Sequence, residues 1–130
     1  MRFNHVANRL SPAHFEAVVA LFTERLGFAV LRRTERAIWL RQPGATVDLQ
    51  FSRSETPGRD ADKLRSQVSF LSETPREDLE ALAGWLAGQG VAAQVGAYST
   101  REFYLDAPAA FVDFVIEAMR PELADYPVEE

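Results

Sequence analysis

Apolar residues at Phe15, Val18, Val19, Phe22 and Leu26 recur at three- and four-residue spacing, which places them on one face of a helix. Ser11 is a favoured N-cap type, Pro12 suits the first helical position, and Gly27 supplies the stop. The same grammar returns later. Thr74-Pro75-Arg76-Glu77 reads as a capping box with proline in the first turn, Leu79, Leu82, Ala83 and Leu86 form the stripe, and Gly88 and Gly90 end it. Short strand-like runs flank both helices. Strands are predicted at 3–8, 28–32, 37–41 and 46–51 around the first helix, and at 67–71, 92–98, 102–105 and 111–117 around the second.

These features repeat at a nearly constant offset. Ser11-Pro12 recurs as Thr74-Pro75, and Gly27-Phe28 as Gly90-Val91, each 63 residues later. A repeat of that length, present twice, points to duplicated supersecondary units rather than to a solenoid, which needs more copies. Each half reads β-α-β-β-β, so the fold class is α+β. The expected division is a first module over 1–52, a polar linker over 53–63 containing Pro57-Gly58, a second module over 64–118, and a tail over 119–130 in which Pro121 breaks the pattern. The last strand of each half has two faces. Val47, Leu49 and Phe51 alternate with Thr46, Asp48 and Gln50, and Val112, Phe114 and Ile116 point away from Asp113 and Glu117. The apolar faces suit packing on the helices. The polar faces have two readings, a solvated outer surface or the lining of a ligand cleft.

A length of 130 residues fits one compact domain. The net charge of −5, with no basic run, argues against nucleic acid as a partner. Without cysteine there is no disulfide framework, thiolate metal site or cysteine nucleophile. The first residues turn polar at once, so no signal peptide is expected, and no apolar run approaches the roughly 20 residues that span a bilayer. A cytoplasmic setting, away from membranes, is the default expectation. Neither histidine sits in a nucleophile elbow, and the glycines at 84, 88 and 90 fall within and after a helix rather than in a phosphate loop.

Phe3-Asn4-His5-Val6, followed by a helix closing on Leu26-Gly27-Phe28, resembles the opening of a module of the vicinal oxygen chelate superfamily, which includes glyoxalases, bleomycin-resistance proteins and extradiol dioxygenases. Thr46-Val47-Asp48-Leu49 is similar to the strand that carries the first acidic ligand there. Arg101 to Asp106, then Phe111-Val112-Asp113-Phe114, resembles the closing hairpin of the second module. The resemblance covers most of the chain. It implies paired βαβββ modules whose curved sheets form an open barrel with a cleft, helices outside, and a homodimer in which modules pair within or between chains.

Carried over residue by residue, the resemblance implies metal positions at His5, Asp48, Gln67 and Asp113, and the separations from 5 to 48 and from 67 to 113 are close, 43 and 46 residues. One nitrogen and three oxygens would suit a divalent ion such as Zn, Ni, Mn or Fe. The sequence departs from the pattern in carrying Gln67 where histidine is common, two Asp in place of Glu, and Asp106-Ala107-Pro108-Ala109-Ala110 as the hairpin turn. The cofactor expectation is therefore open between none and one divalent metal. With a metal, the resemblance implies a lyase, isomerase or dioxygenase-like enzyme on a vicinal-oxygen substrate, Asp113 serving as proton shuttle. Without one, it implies a small-molecule binding protein whose cleft offers Trp39, Gln50, Ser69, Arg101 and Phe103. Core packing of Trp39 and Phe103, and a plain surface role for Arg101, are the competing readings. A third functional reading is a noncatalytic dimerisation domain.

Overall fold

The computed structural model of the chain describes residues 2–55 and 63–124. Its first half runs β1 (His5–Leu10), a short 3-10 turn at Pro12–His14, α1 (Phe15–Ala20), a π-helical turn at Leu21–Arg25, β2 (Ala29–Arg33), β3 (Ala37–Arg41) and β4 (Asp48–Arg53). Its second half runs β5 (Gln67–Leu71), α2 (Pro75–Gly88), β6 (Gln94–Ala97), β7 (Glu102–Asp106) and β8 (Val115–Met119), then a 3-10 turn at Pro121–Ala124. Each half forms a four-stranded mixed sheet, ordered β1-β4-β3-β2 and β5-β8-β7-β6. In both, the first and last strands pair in parallel, as a helical crossover requires, and the other pairs are antiparallel. The two sheets are separate, and no closed barrel forms. Most of the linker expected over 53–63, and the end of the tail expected over 119–130, lie outside the described residues.

The repeat read from the sequence is a repeat of backbone conformation. Gly27 and Gly90 both hold positive φ, 75° and 80°, where each helix hands over to the next segment. The helix starts differ from expectation. Neither Ser11 nor Thr74 caps through its side chain, and the Thr74 hydroxyl instead donates to Asp78 at 3.2 Å, alongside Ser72. The first helix is not uniform α-helix either. The Thr23 hydroxyl donates back to the Val19 carbonyl at 3.0 Å, and the Leu26 amide reaches Leu21, five residues back, which widens the last turn.

One core serves both halves. Leu10, Phe22, Ile38, Leu40 and Phe51 from the first module join Leu79, Leu86, Leu105, Phe114 and Ile116 from the second. Phe51 stacks on Phe114 with centroids 5.5 Å apart and meets Phe22 edge-on at 4.9 Å. The backbone also ties the modules together. The Ser11 amide donates to Ala110 at 2.8 Å, the Val112 amide to Arg9 at 3.1 Å, and Leu10 bridges Phe111. This tie corrects the predicted last strand. The Ala110 carbonyl and the Val112 amide go to the first module and the Ala110 and Phe111 amides turn back to Ala107, and β8 starts at Val115 rather than at 111. The first and fourth strands likewise start two residues later than predicted, at His5 and Asp48.

Candidate functional site

Ladder register assigns the faces. On the first sheet His5 pairs with Asp48, Ala7 with Gln50, and Gln50 with Trp39, so these side chains share the face opposite the core. On the second sheet Ser69 pairs with Glu117, Glu117 with Tyr104, and Tyr104 with Gly96, one continuous row across all four strands. The opposite faces carry Leu40, Leu49, Phe51, Leu105 and Ile116 into the core.

The residues expected to hold a metal are engaged separately. Asp48 is buried and takes Arg41 in a two-pronged pair, Nε to Oδ1 at 2.6 Å and Nη2 to Oδ2 at 3.2 Å. That hydrogen bond, followed by the charge of Asp48, raises the Arg41 pKa above the ordinary arginine value. Asp113 lies before β8, where its two oxygens accept the backbone amide and Nε of Arg9 at 2.9 and 3.1 Å. His5 is exposed, with Nδ1 2.9 Å from the Asn4 side-chain oxygen. The Gln67 amide donates to the Leu64 carbonyl at 3.0 Å. The partner of Gln67 in the ladder is Val115, not an acid. Among the described residues no three His, Asp or Glu side chains gather closely enough to hold one ion. Within a single chain the donor set does not fit a metal, because its carboxylates already neutralise arginines.

The residues expected to line a cleft divide as well. Trp39 stands on the polar face with the Arg32 guanidinium 5.1 Å from its ring centroid, and Gln50 lies beside it. Ser69 donates to Glu117 at 2.7 Å. Phe103 shares the parity of Leu105, is buried in the core, and carries the Arg76 guanidinium over its ring, so it faces α2 rather than the polar side. Arg101 is exposed just ahead of β7.

What the fold does bring together is a cavity of about 280 Å³ between the modules. Val6 and Asp48 bound it from the first sheet, Val47 from the residue before β4, Gln67 and Ser69 from β5, and Phe28 from the segment after the π turn. Three expected site residues, Asp48, Gln67 and Ser69, therefore share one hollow. The cluster on the second sheet beyond Ser69 was not singled out by the sequence. There Lys63 is buried against Asp106 at 2.9 Å, Tyr98 and Tyr104 lie with ring centroids 5.1 Å apart, and Tyr98 donates to the Leu64 carbonyl. Burial is the main cause raising the Tyr98 pKa, opposed by a hydrogen bond with Gln67 and assisted by the charges of Glu117 and Asp106. The signal available was parity, since Glu117 shares a face with the row from Ser69 to Gly96.

Two βαβββ modules with these sheet orders are the fold that the chain shares with solved structures described as a possible glyoxalase and a bleomycin-binding protein. Among solved structures, the chain is similar to a possible glyoxalase from Bacillus cereus, with TM-score 0.60 and 18% identity, covering 92% of this chain and 98% of that one. It is similar to the bleomycin-binding protein of Streptomyces verticillus, complexed there with copper(II)-bleomycin, with TM-score 0.51 and 18% identity over 92% of this chain and 98% of that one. A third likeness is to TnmS3, an antibiotic binding protein from Streptomyces sp. CB03234, with TM-score 0.54 and 18% identity over 93% of this chain and 96% of that one. No protein-family model and no curated protein matches the sequence. Among the described residues no helix is long and apolar enough to cross a membrane.

Proposed function

We propose that the chain is a small-molecule binding protein of the glyoxalase and bleomycin-resistance type, holding its ligand at the junction of its two modules. The observation that carries this reading is the intermodular cavity, apolar at Val6, Phe28 and Val47 and polar at Asp48, Gln67 and Ser69. A mostly apolar hollow with a few convergent polar groups is the usual form of a ligand site. Its volume of about 280 Å³ suits a small ligand or one ring system of a larger one. Among the described residues, the metal-dependent enzyme reading lacks a matching donor set.

A homodimer in a cytoplasmic setting belongs to the same reading. β1, β2, β5 and β6 are sheet edges, and the apolar side chains of Phe3, Val6, Val30, Leu31 and Leu71 are exposed, Phe3 to 69%. Open edges with apolar side chains favour pairing with a second copy.

The test is a thermal-shift panel of aromatic drugs, copper(II)-bleomycin and 2-oxo thioesters on the wild type and on Ala45→Trp. Ala45 is exposed at the cavity mouth, so the bulky ring obstructs entry without entering the core. A ligand selective for the folded chain raises the wild-type melting temperature, and the shift disappears in the variant. An equal shift in both proteins refutes binding in this cavity.

A further inference from the structure

We propose that the ligand bound at this junction carries an organic cation, an ammonium or amidinium group next to an aromatic ring, which docks on Glu117 beside Tyr98 and Tyr104. The inference rests on the small-molecule reading above and names the chemical class of the ligand.

Its basis is an imbalance of charge on the polar faces. Asp48 is neutralised by Arg41, Asp106 by Lys63 and Asp113 by Arg9. Glu117 is only 9% exposed, and among the described residues it makes no ion pair. Among the described residues, the one hydrogen bond of its side chain is accepted from the Ser69 hydroxyl at 2.7 Å. A carboxylate removed from water without a counter-charge is costly, and a bound cation removes that cost. The surroundings suit an organic cation better than a metal ion. Among the described residues no three His, Asp or Glu side chains gather there to replace a metal's water shell. Two tyrosine rings are present instead, and a weakly hydrated cation is attracted to aromatic faces.

The row Ser69-Glu117-Tyr104-Gly96 is built for this arrangement. A Cβ on Gly96 would stand 2.2 Å from Cζ of Tyr104, so only glycine lets that ring lie across β6. Ser69 is exposed, lines the intermodular cavity and donates to Glu117, so the carboxylate stands one hydrogen bond behind the lining of the site already described.

The experiment measures binding of benzyltrimethylammonium and of benzyl alcohol by calorimetry to the wild type, Glu117→Gln and Tyr104→Leu. Gln keeps an acceptor for Ser69 and removes only the charge, and a thermal melt verifies folding of each variant. The wild type binds the cation more tightly than the alcohol. Glu117→Gln loses roughly tenfold or more of the cation affinity, Tyr104→Leu weakens it severalfold, and alcohol binding to Glu117→Gln changes by less than about twofold. Equal binding of both probes, or a cation affinity indifferent to Glu117→Gln, overturns the inference and leaves the binding reading intact. Failure of both probes to bind overturns the two together. If Glu117→Gln alters only self-association in sedimentation equilibrium, an arginine of a second copy supplies the charge, and the inference is overturned.

Discussion

Replacing Arg41 with Met probes the electrostatics of the first sheet. Asp48 keeps 8% exposure as a residue, while 47% of the Arg41 side chain is open to water. The methionine retains much of the aliphatic stem and deletes both donors, at 2.6 and 3.2 Å from the carboxylate. Breaking a fully buried pair costs about 3–5 kcal/mol, and an exposed pair is worth about 0–1 kcal/mol. This pair lies between those limits, because its anion is buried and its cation is half solvated. The expected destabilisation is about 1–2 kcal/mol, most of it from leaving the carboxylate without a partner.

That cause gives the substitution a signature beyond its size. If the uncompensated charge is responsible, adding Asp48→Asn to Arg41→Met restores part of the lost stability, although Asp48→Asn alone is destabilising. Urea unfolding of the four proteins at neutral pH measures the coupling directly. A cost below about 0.5 kcal/mol for Arg41→Met would place the pair among surface contacts. Further destabilisation by Asp48→Asn in the Arg41→Met background would refute the argument outright.

The remaining predictions concern the shared core and the second sheet. Phe51→Ala removes a fully buried ring that stacks on Phe114 and meets Phe22, and it should cost about 3–5 kcal/mol while unfolding stays a single transition by fluorescence and circular dichroism. Two separated transitions would show that the modules do not share one core. For Tyr98, burial raises the folded-state pKa above the unfolded value near 10, so the folded state holds the phenolic proton more tightly. Its contribution to stability is therefore complete below about pH 10 and is lost as the pH climbs through the folded pKa. Tyr98→Phe should flatten that alkaline decline in urea midpoints, and an unchanged decline would assign it to another group.

The helices and the duplication were legible because their signals are local. Proline after Ser11 and Thr74, glycine at 27 and 90, and stripes at helical spacing each depend on neighbours within a few turns. The widened end of the first helix was not, since Thr23 turning back to Val19 is one of several options its hydroxyl has. Of the expected site residues, Asp48 and Gln67 came from the resemblance and Ser69 from strand parity, and all three border the intermodular cavity. Asp113 was carried over from the resemblance as a last-strand position, but it lies before β8, whereas Glu117 lies within it. Both acids have the same parity, and what separates them is the pairing of Leu10 with Phe111, a contact between modules that no local pattern encodes. Phe103 was a matter of parity alone: it alternates with Tyr104 and shares its face with Leu105, which the run from 102 to 106 already contained.

The two halves keep the same architecture and treat their buried acids differently, and under the proposed binding function that difference bears on which wall a charged ligand would meet. In the first sheet Asp48 and Arg41 satisfy each other, so the buried carboxylate of this wall is already committed, and Arg32 over Trp39 adds a positive charge to the same face. A ligand would have to break that pair to gain either group. In the second sheet, among the described residues, the Glu117 carboxylate has a serine hydroxyl and no ion pair, and the paired rings of Tyr98 and Tyr104 offer aromatic surface beside it. A ligand meeting this wall gains a charge interaction without displacing one. Phe51 against Phe114 holds the two walls in fixed relation, so ligand affinity should follow the chemistry of the second wall and tolerate conservative changes in the first.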